Sequence, residues 1–206
     1  TKLLERHSRF ARQLLAADPT LASELDQARH RAWSSMEMRE FIAQYLTGDV
    51  AAPLADKRLG SILRRLRARV MLRNMARDLA GEASLSEVCD TMTDLAEVSL
   101  QAAQSEAERQ LHAQFGIPTS PSGQAQRMIV VGMGKLGGRE LNVSSDIDLI
   151  FLYPEEGDTT GGPRQLSNHE FFTRLGRIII ALLSEHDAEG WVFRVDMRLR
   201  PWGDPG

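Results

Sequence analysis

The first half of the chain has the hydrophobic spacing of helices. From about Asp56 to Ala80, apolar residues recur every three or four positions, which is the period of one helix face, and Gly81 ends the pattern. The positions on that face are Leu59, Ile62, Leu63, Leu66 and Val70. Similar spacing predicts shorter helices earlier in the chain, over residues 2–17, 21–33 and 37–46. This half of the chain is therefore expected to be helical.

A capping box opens a second long helix. Glu87 follows Ser84 at the spacing that lets each side chain accept a hydrogen bond from the other residue's backbone N–H. The helical pattern ends before segment 117–126, which is polar and contains glycine and proline. We predict a helical region over residues 1–116, joined by a linker at 117–126 to a further unit over residues 127–206.

Beyond the linker the pattern becomes that of strands. In residues 146–151, Asp146 and Asp148 lie on one face of a strand and apolar residues lie on the other, because successive side chains alternate. The aspartate face continues with apolar residues, so the strand is expected to be buried on both sides. A second alternating segment, residues 194–200, carries its own acidic residue, Asp196.

A helix separates these two strands. Its start is predicted by a capping box at Ser167 and Glu170, and the apolar face that follows suits packing against a sheet. Residues 154–163, rich in turn formers and charge, are expected to form a mobile surface loop. The chain is therefore predicted to be an α+β protein, with an amino-terminal helical region followed by a small mixed β-sheet and flanking helices.

The composition is that of a globular protein with little charge bias. The 206 residues are 42% hydrophobic and 26% charged, with a net charge of -3, which allows a core and gives no general attraction for nucleic acid. The longest apolar run, near residues 178–183, is far shorter than the roughly 20 residues of a membrane span. The single Cys89 cannot form an internal disulfide. We expect a cytoplasmic protein that binds neither nucleic acid nor membranes.

The predicted helix over residues 57–77 is strongly basic. It carries eight basic residues against one acid at its entry, Asp56, and surfaces that bind nucleic acid share such an excess of basic residues. However, the next helix is rich in acids, and no aromatic side chains stand among the arginines to stack on bases. We therefore favour a solvated or internally paired face, and a docking surface for an acidic protein partner is the alternative.

Asp146 and Asp148 are the main candidates for chemistry. Two neighbouring carboxylates on a buried strand repel each other, so they stay ionised only beside cations or basic side chains. Mg2+ is the natural cation because it prefers carboxylate oxygens. Upstream, Gly137 and Gly138 can let backbone N–H groups approach phosphate oxygens, and Ser145 can add a hydroxyl.

Two other interpretations of these residues compete with a metal site. Gly132, Gly134 and Gly137 match the dinucleotide-binding fingerprint, but that fold needs a long helix after the glycines. Only a short helix, over about residues 139–142, fits before the aspartates, so this interpretation is disfavoured. Alternatively, the arginines of residues 194–200 neutralise the aspartates in a structural ion cluster, and this possibility stays open.

Several of these segments resemble a known family. A Leu-Gly-Gly turn followed by Asp146 and Asp148 on a strand resembles the nucleotidyltransferase superfamily that includes DNA polymerase beta. The chain resembles, more narrowly and from about Arg64 to its end, the bacterial glutamine synthetase adenylyltransferase and adenylyl-removing enzymes. The strings that carry this resemblance are GMGKLGGRELN at 132–142, SSDIDLIF at 144–151, FFTRLG at 171–176 and RVDMRLRP at 194–201.

The resemblance implies a third carboxylate and a two-metal site. Asp196 matches the position of that carboxylate, so Asp146, Asp148 and Asp196 are the expected catalytic residues and ligands of Mg2+. Such a cluster holds two ions about 3.5 to 4 Å apart. Arg198 and Arg200 are expected to face the phosphates of ADP or ATP.

The resemblance also implies a reaction. Members of the family carry two such domains: one attaches AMP to a tyrosine of glutamine synthetase, and the other removes it with phosphate and releases ADP. Residues 73–79, 84–88 and 141–145 are more similar to the amino-terminal, removing half, so adenylylated glutamine synthetase and phosphate are the expected substrates. The alternatives are ATP-dependent attachment of AMP and a non-catalytic piece that binds nucleotide or protein. A nitrogen-regulatory signalling protein is implied as a partner by the family alone.

The resemblance further implies a longer chain. The sequence starts at Thr1 and stops soon after Asp196, so we expect a fragment. Its nucleotidyltransferase core, over residues 127–206, is expected to be incomplete at the carboxyl end, which leaves the activity of the fragment open.

Overall fold

The computed structural model describes residues 2–46 and 55–197, and it is mainly helical. The helices are α1 (Lys2–His7), α2 (Arg9–Ala17), α3 (Thr20–Ala28), α4 (Ser35–Leu46), α5 (Ala55–Leu79), α6 (Leu85–Phe115), α7 (Gly134–Gly137) and α8 (Asn168–Ser184). The strands are β1 (Gly116–Thr119), β2 (Ile129–Met133), β3 (Ile147–Leu152), β4 (Asp158–Gly161) and β5 (Val195–Asp196). Among the described residues, no helix combines the length and the apolar character needed to cross a bilayer.

The long helices form where the sequence predicts them. The Ser84 hydroxyl accepts a hydrogen bond from the Glu87 N–H at 3.1 Å and so caps α6. Gly116, with a positive φ of 79°, follows the last residue of that helix. In the same way, the Ser167 hydroxyl accepts from the Glu170 N–H at 3.2 Å at the start of α8. Both helix starts that the capping boxes predicted are confirmed.

The amino-terminal helices are shorter than predicted. The helix expected over residues 2–17 is divided at Ser8, whose side chain accepts a hydrogen bond from the Ala11 N–H at 3.1 Å and caps α2. The helix expected over residues 21–33 ends at Ala28. Short polar side chains bond to nearby backbone and compete with helix continuation, so a local cap can interrupt a continuous hydrophobic pattern.

One hydrophobic core joins the helical region to the sheet. α6 packs against both α5 and α8. Leu66 of α5, Leu95 of α6 and Leu149 of β3 belong to the same buried cluster. A smaller cluster holds α1, α2 and α3 against Leu72 of α5. The division into units at 117–126 stays a prediction, but apolar residues on both sides of it share this core.

A three-stranded sheet carries the aspartate segments. β2 is antiparallel to β3, and β3 is parallel to β5, in the spatial order β2-β3-β5. α8 approaches this sheet closely, because a Cβ added to Gly176 would lie 2.9 Å from Cδ2 of Phe151 on β3. The predicted α+β class with a small mixed sheet is confirmed.

Two segments expected to be linker and loop pair with each other. β1 covers the start of the predicted linker and β4 lies inside 154–163, and the two strands form an antiparallel ladder. Glycine permits this pairing, since a Cβ on Gly116 would lie 2.0 Å from the Thr160 carbonyl oxygen. Neither strand alternates apolar and polar residues, so hydrophobic periodicity did not reveal them. Residues 154–163 are therefore not a loop throughout.

Candidate active site

A glycine turn connects β2 to the candidate site. Gly134 has a positive φ of 54° and begins α7 directly after β2. A Cβ at Gly134 would lie 2.7 Å from Oδ2 of Asp148, and a Cβ at Gly137 would lie 2.6 Å from the Gly132 carbonyl oxygen. The turn therefore packs its bare backbone against β2 and against the Asp148 carboxylate, and a side chain at either position would separate them.

The predicted helix over residues 139–142 is absent. The single helical turn of α7 lies before it, and Arg139 has the left-handed φ of 56° that rarely continues a helix. Asn142 then turns the chain, because its Oδ1 accepts hydrogen bonds from the Ser144 N–H at 3.1 Å and the Ser145 hydroxyl at 2.9 Å. Local side-chain bonding of this kind competes with helix formation.

Arg139 has a role that the sequence did not indicate. Its guanidinium donates to Asp94 at 2.8 Å, Asp90 at 3.1 Å and Glu97 at 3.3 Å, all on α6. The hydrogen bond to Asp94 raises the pKa of Arg139, aided by Asp90 and Glu97. The glycine turn is thus tied to α6 by one side chain. The available signal was the spacing of those three acids, which places them on one helix face.

The aspartates of β3 and β5 are neighbours. Asp148 pairs in register with Asp196 on the parallel strand β5. Directly opposed residues of paired strands project from the same face of a sheet, so these two carboxylates share a face. Asp146 stands one residue before β3 and, by strand alternation, belongs to that face as well. The pairing of β5 with β3 thus brings the third predicted carboxylate beside the other two.

The aspartate face of β3 is more open than expected. Ile147 and Leu149 are fully buried on one side, whereas Asp148 and Ile150 opposite them are only half-buried. Asp146 is exposed over 45% of its side chain. The prediction of a strand buried on both faces is therefore wrong, and the carboxylates have access to solvent.

Arg194 forms an ion pair with one of the three predicted aspartates, Asp146. Its Nη2 lies 2.6 Å from Oδ1 of Asp146, and its backbone carbonyl accepts a hydrogen bond from the Ile147 N–H at 3.0 Å. The guanidinium is 62% exposed, so this ion pair is weak and exchangeable. For Asp146, the arrangement corresponds to the structural ion pair that the sequence left open as an alternative.

Whether a metal fits can be judged from the donor set. Carboxylate oxygens are the ligands that Mg2+ prefers, and Asp148 and Asp196 offer them from adjacent positions on one face. Within residues 2–46 and 55–197, however, no three or more side chains of His, Cys, Asp or Glu are grouped so as to hold an ion. The donor chemistry fits, while the three-aspartate metal site remains a prediction.

The predicted phosphate-binding residues have different surroundings. Gly137 and Gly138 are exposed, although the Gly138 N–H already donates to the Gly134 carbonyl at 3.0 Å. The Ser145 hydroxyl donates to Asn142 and orders the loop before β3. Two further predicted residues, Arg198 and Arg200, lie outside the described residues.

The fold, a small mixed sheet that carries aspartates beside a glycine turn, is consistent with a nucleotidyltransferase-like fragment. The chain belongs to the glutamate-ammonia ligase adenylyltransferase family, whose model matches residues 3–206.

Relatives in several bacteria are described as bifunctional glutamine synthetase adenylyltransferase/adenylyl-removing enzymes. The Aromatoleum aromaticum protein is 49% identical over 97% of this chain and 20% of the relative. The Ralstonia nicotianae protein is 48% identical over 97% of this chain and 21% of the relative. The Burkholderia mallei protein is 47% identical over 97% of this chain and 22% of the relative. This chain therefore spans about a fifth of the length of these relatives.

Proposed function

We propose that this chain carries a metal-dependent site for nucleotidyl transfer on glutamine synthetase, at which phosphate removes AMP from an adenylylated tyrosine. One observation supports it above the others: Asp148 and Asp196 are in-register neighbours beside a turn where Gly134 lies against the Asp148 carboxylate. The names of the relatives supply the substrate. The similarity of residues 141–145 to the removing half of the family supports the direction.

Asp148 and Asp196 are the residues that would hold the ions, and Asp146 would join them once Arg194 moves away. An exposed ion pair contributes about 0 to 1 kcal/mol, so this exchange costs little. Bound Mg2+, as one ion or two, supplies positive charge to the phosphate oxygens and to the departing oxygen. The exposed glycines of the turn leave room for those phosphates beside Asp148.

The proposed reaction replaces one bond at phosphorus with another. An oxygen of inorganic phosphate bonds to the adenylyl phosphorus, the bond from phosphorus to the tyrosine oxygen breaks, and that oxygen takes up a proton. The products are ADP and unmodified tyrosine. Phosphate attacks as an anion and needs no base, whereas the tyrosine oxygen, with a reference pKa of about 10, needs charge compensation or a proton to leave. In the attaching direction, Asp196 is the candidate general base.

The test uses the full-length protein that contains residues 1–206, with adenylylated glutamine synthetase, Mg2+ and phosphate. Asp148→Asn is expected to lower ADP formation by roughly a hundredfold or more, because it removes a carboxylate that would hold Mg2+ against the reacting phosphates. Asp158→Asn is the matched control, since it changes an exposed carboxylate on β4, in the other sheet. Circular dichroism should show that both variants keep the fold.

Three outcomes of these assays decide between the functions. Loss of pyrophosphate release from ATP and unmodified glutamine synthetase in Asp148→Asn, with ADP formation unchanged, assigns this site to attachment. If neither activity falls in Asp148→Asn, the proposed site is wrong. If Asp148→Asn instead loses its fold, this carboxylate has a structural role.

A further inference from the structure

A large groove lies beside the candidate site, between the helical region and the loops before β3 and β5. Its volume is about 770 Å³, which is within the roughly 300–1,000 Å³ of small-molecule sites. Phe10 and Leu14 of α2 form part of one wall, and Ser144 and Trp191 form part of another. The groove is large enough for a ligand and has both apolar and polar walls.

Arg67 of α5 lines this groove, and its charge is not paired as it is for three other arginines of the helix. Arg64 pairs with Asp187, Arg69 with Glu24 at 2.8 Å, and Arg77 with Glu87 at 2.7 Å. These pairs support the predicted internally paired face. Within the described part of the chain, no carboxylate is within ion-pair distance of Arg67.

The Arg67 guanidinium is poorly solvated. Its Nε is buried without a hydrogen-bond partner, and burial alone lowers the pKa of Arg67 to about 10. Its contact is the Trp191 ring, whose centroid lies 5.7 Å from Cζ. A cation–π contact is weaker than a charged hydrogen bond to an oxyanion. The cation therefore lacks the partner that would compensate its desolvation.

The acids of the groove already have partners. Asp187 and Glu189 line it, but Asp187 pairs with Arg64 and Glu189 accepts a hydrogen bond from the Ser61 hydroxyl at 2.7 Å. Arg194 lines the same groove and holds Asp146 at 2.6 Å. The groove thus extends from an uncompensated cation on α5 to the ion pair beside β3.

We propose that this groove binds a phosphate group, with Arg67 as the pairing cation and Arg194 as a second donor. A phosphate oxyanion supplies several acceptors and pairs well with guanidinium groups. Inorganic phosphate and a nucleotide share this chemistry, and Trp191 offers the nucleotide a ring to stack on. This binding goes beyond the proposed reaction, since it uses the helical region and needs neither metal nor turnover.

The test measures binding to the full-length protein in chelator, by calorimetry, with inorganic phosphate and ADP as separate probes. Arg67→Gln is expected to weaken binding roughly tenfold or more, because a charged hydrogen bond is lost. Arg65→Gln is the matched control: Arg65 lies on the same helix, stacks on Tyr45 with Cζ 4.7 Å from the ring centroid, and does not line the groove. A loss for both probes assigns the site to phosphate itself, and a loss for ADP alone assigns it to a nucleotide.

A second measurement separates binding from a structural role. Arg67→Met should keep or raise Tm without ligand, since it removes a desolvated charge, and phosphate should raise Tm only in the unchanged protein. Asp148→Asn should leave metal-free binding unaltered, so this inference and the proposed reaction can fail separately. Equal affinity in Arg67→Gln and the unchanged protein, absence of saturable binding, or loss of binding in Asp148→Asn would each overturn the proposal.

Discussion

Gly134 and Asp148 touch, and this contact decides which residues both positions accept. A Cβ at Gly134 would meet Oδ2 of Asp148 at 2.7 Å. By contrast, Gly123, with a positive φ of 82°, faces open space. Gly134 is therefore needed both for its backbone conformation and for the room it leaves to a carboxylate.

This difference predicts the effect of Gly134→Ala on activity. The added methyl group displaces the Asp148 carboxylate, so we expect ADP formation to fall about tenfold or more. Separately, left-handed alanine should lower the stability of the fold by roughly 1 to 2 kcal/mol. Gly123→Ala carries similar backbone strain without that contact, so its activity should be unchanged. Enzyme assays and thermal melts on both variants check this. Equal activity loss in the two variants would assign the effect to strain alone.

At the scale of elements, capping side chains set where helices begin. At the start of α4, the Ser34 N–H donates to Glu37 Oε2 at 3.1 Å, and the Glu37 N–H donates to the Ser34 hydroxyl at 3.2 Å. Arg31 adds an ion pair to Glu37 at 2.6 Å. Burial raises the pKa of Glu37, but the bonds from Ser34 and the charge of Arg31 outweigh it and lower that pKa below its usual value.

This lowered pKa makes the cap of α4 sensitive to acid. A carboxylate with a depressed folded-state pKa stabilises the fold above its unfolded pKa, about 4.3, and loses that contribution as pH falls through the folded value. Glu37→Gln should therefore lower stability by roughly 0.5–1 kcal/mol at pH 7, and the difference should shrink as pH falls below about 4 and through the lower folded-state pKa. Denaturation at several pH values measures it, with Glu40→Gln, an exposed residue of the same helix, as control. A difference that persists in acid contradicts the charge-based cap.

At the scale of the whole molecule, α6 couples the helical region to the sheet. It packs on α5 on one side and on α8 on another, and the Arg139 cluster ties it to the glycine turn. The phosphate groove also has walls from both regions. The helical region is thus part of the surroundings of the site.

The shared core predicts that the 206-residue chain unfolds in one step. We expect a single urea transition, with coincident midpoints by far-UV circular dichroism and by fluorescence. In Trp33→Phe, the remaining tryptophans, Trp191 and Trp202, lie in the unit over 127–206, so fluorescence reports on that unit. A separate fluorescence transition would support independent domains joined near 117–126.

The sequence predicted the elements that depend on residues close together in the chain, and it missed those that depend on distant residues. α5, α6 and α8 were predicted because their apolar period and their caps involve residues a few positions apart. The β1–β4 ladder was missed because its backbone pairing leaves no apolar pattern. Arg139 was missed because its partners lie on another helix.

The sequence by itself determined the long helices, the helix starts and the alternation that puts Asp146 and Asp148 on one face, since these depend on local geometry. Only the tertiary structure decided that Asp148 lies beside Asp196, that Arg194 forms an ion pair with Asp146, and that Arg67 has no acidic partner among the described residues. Each of these outcomes depends on which distant residues pack together. Register and charge pairing are long-range properties, so no local pattern of residues encodes them.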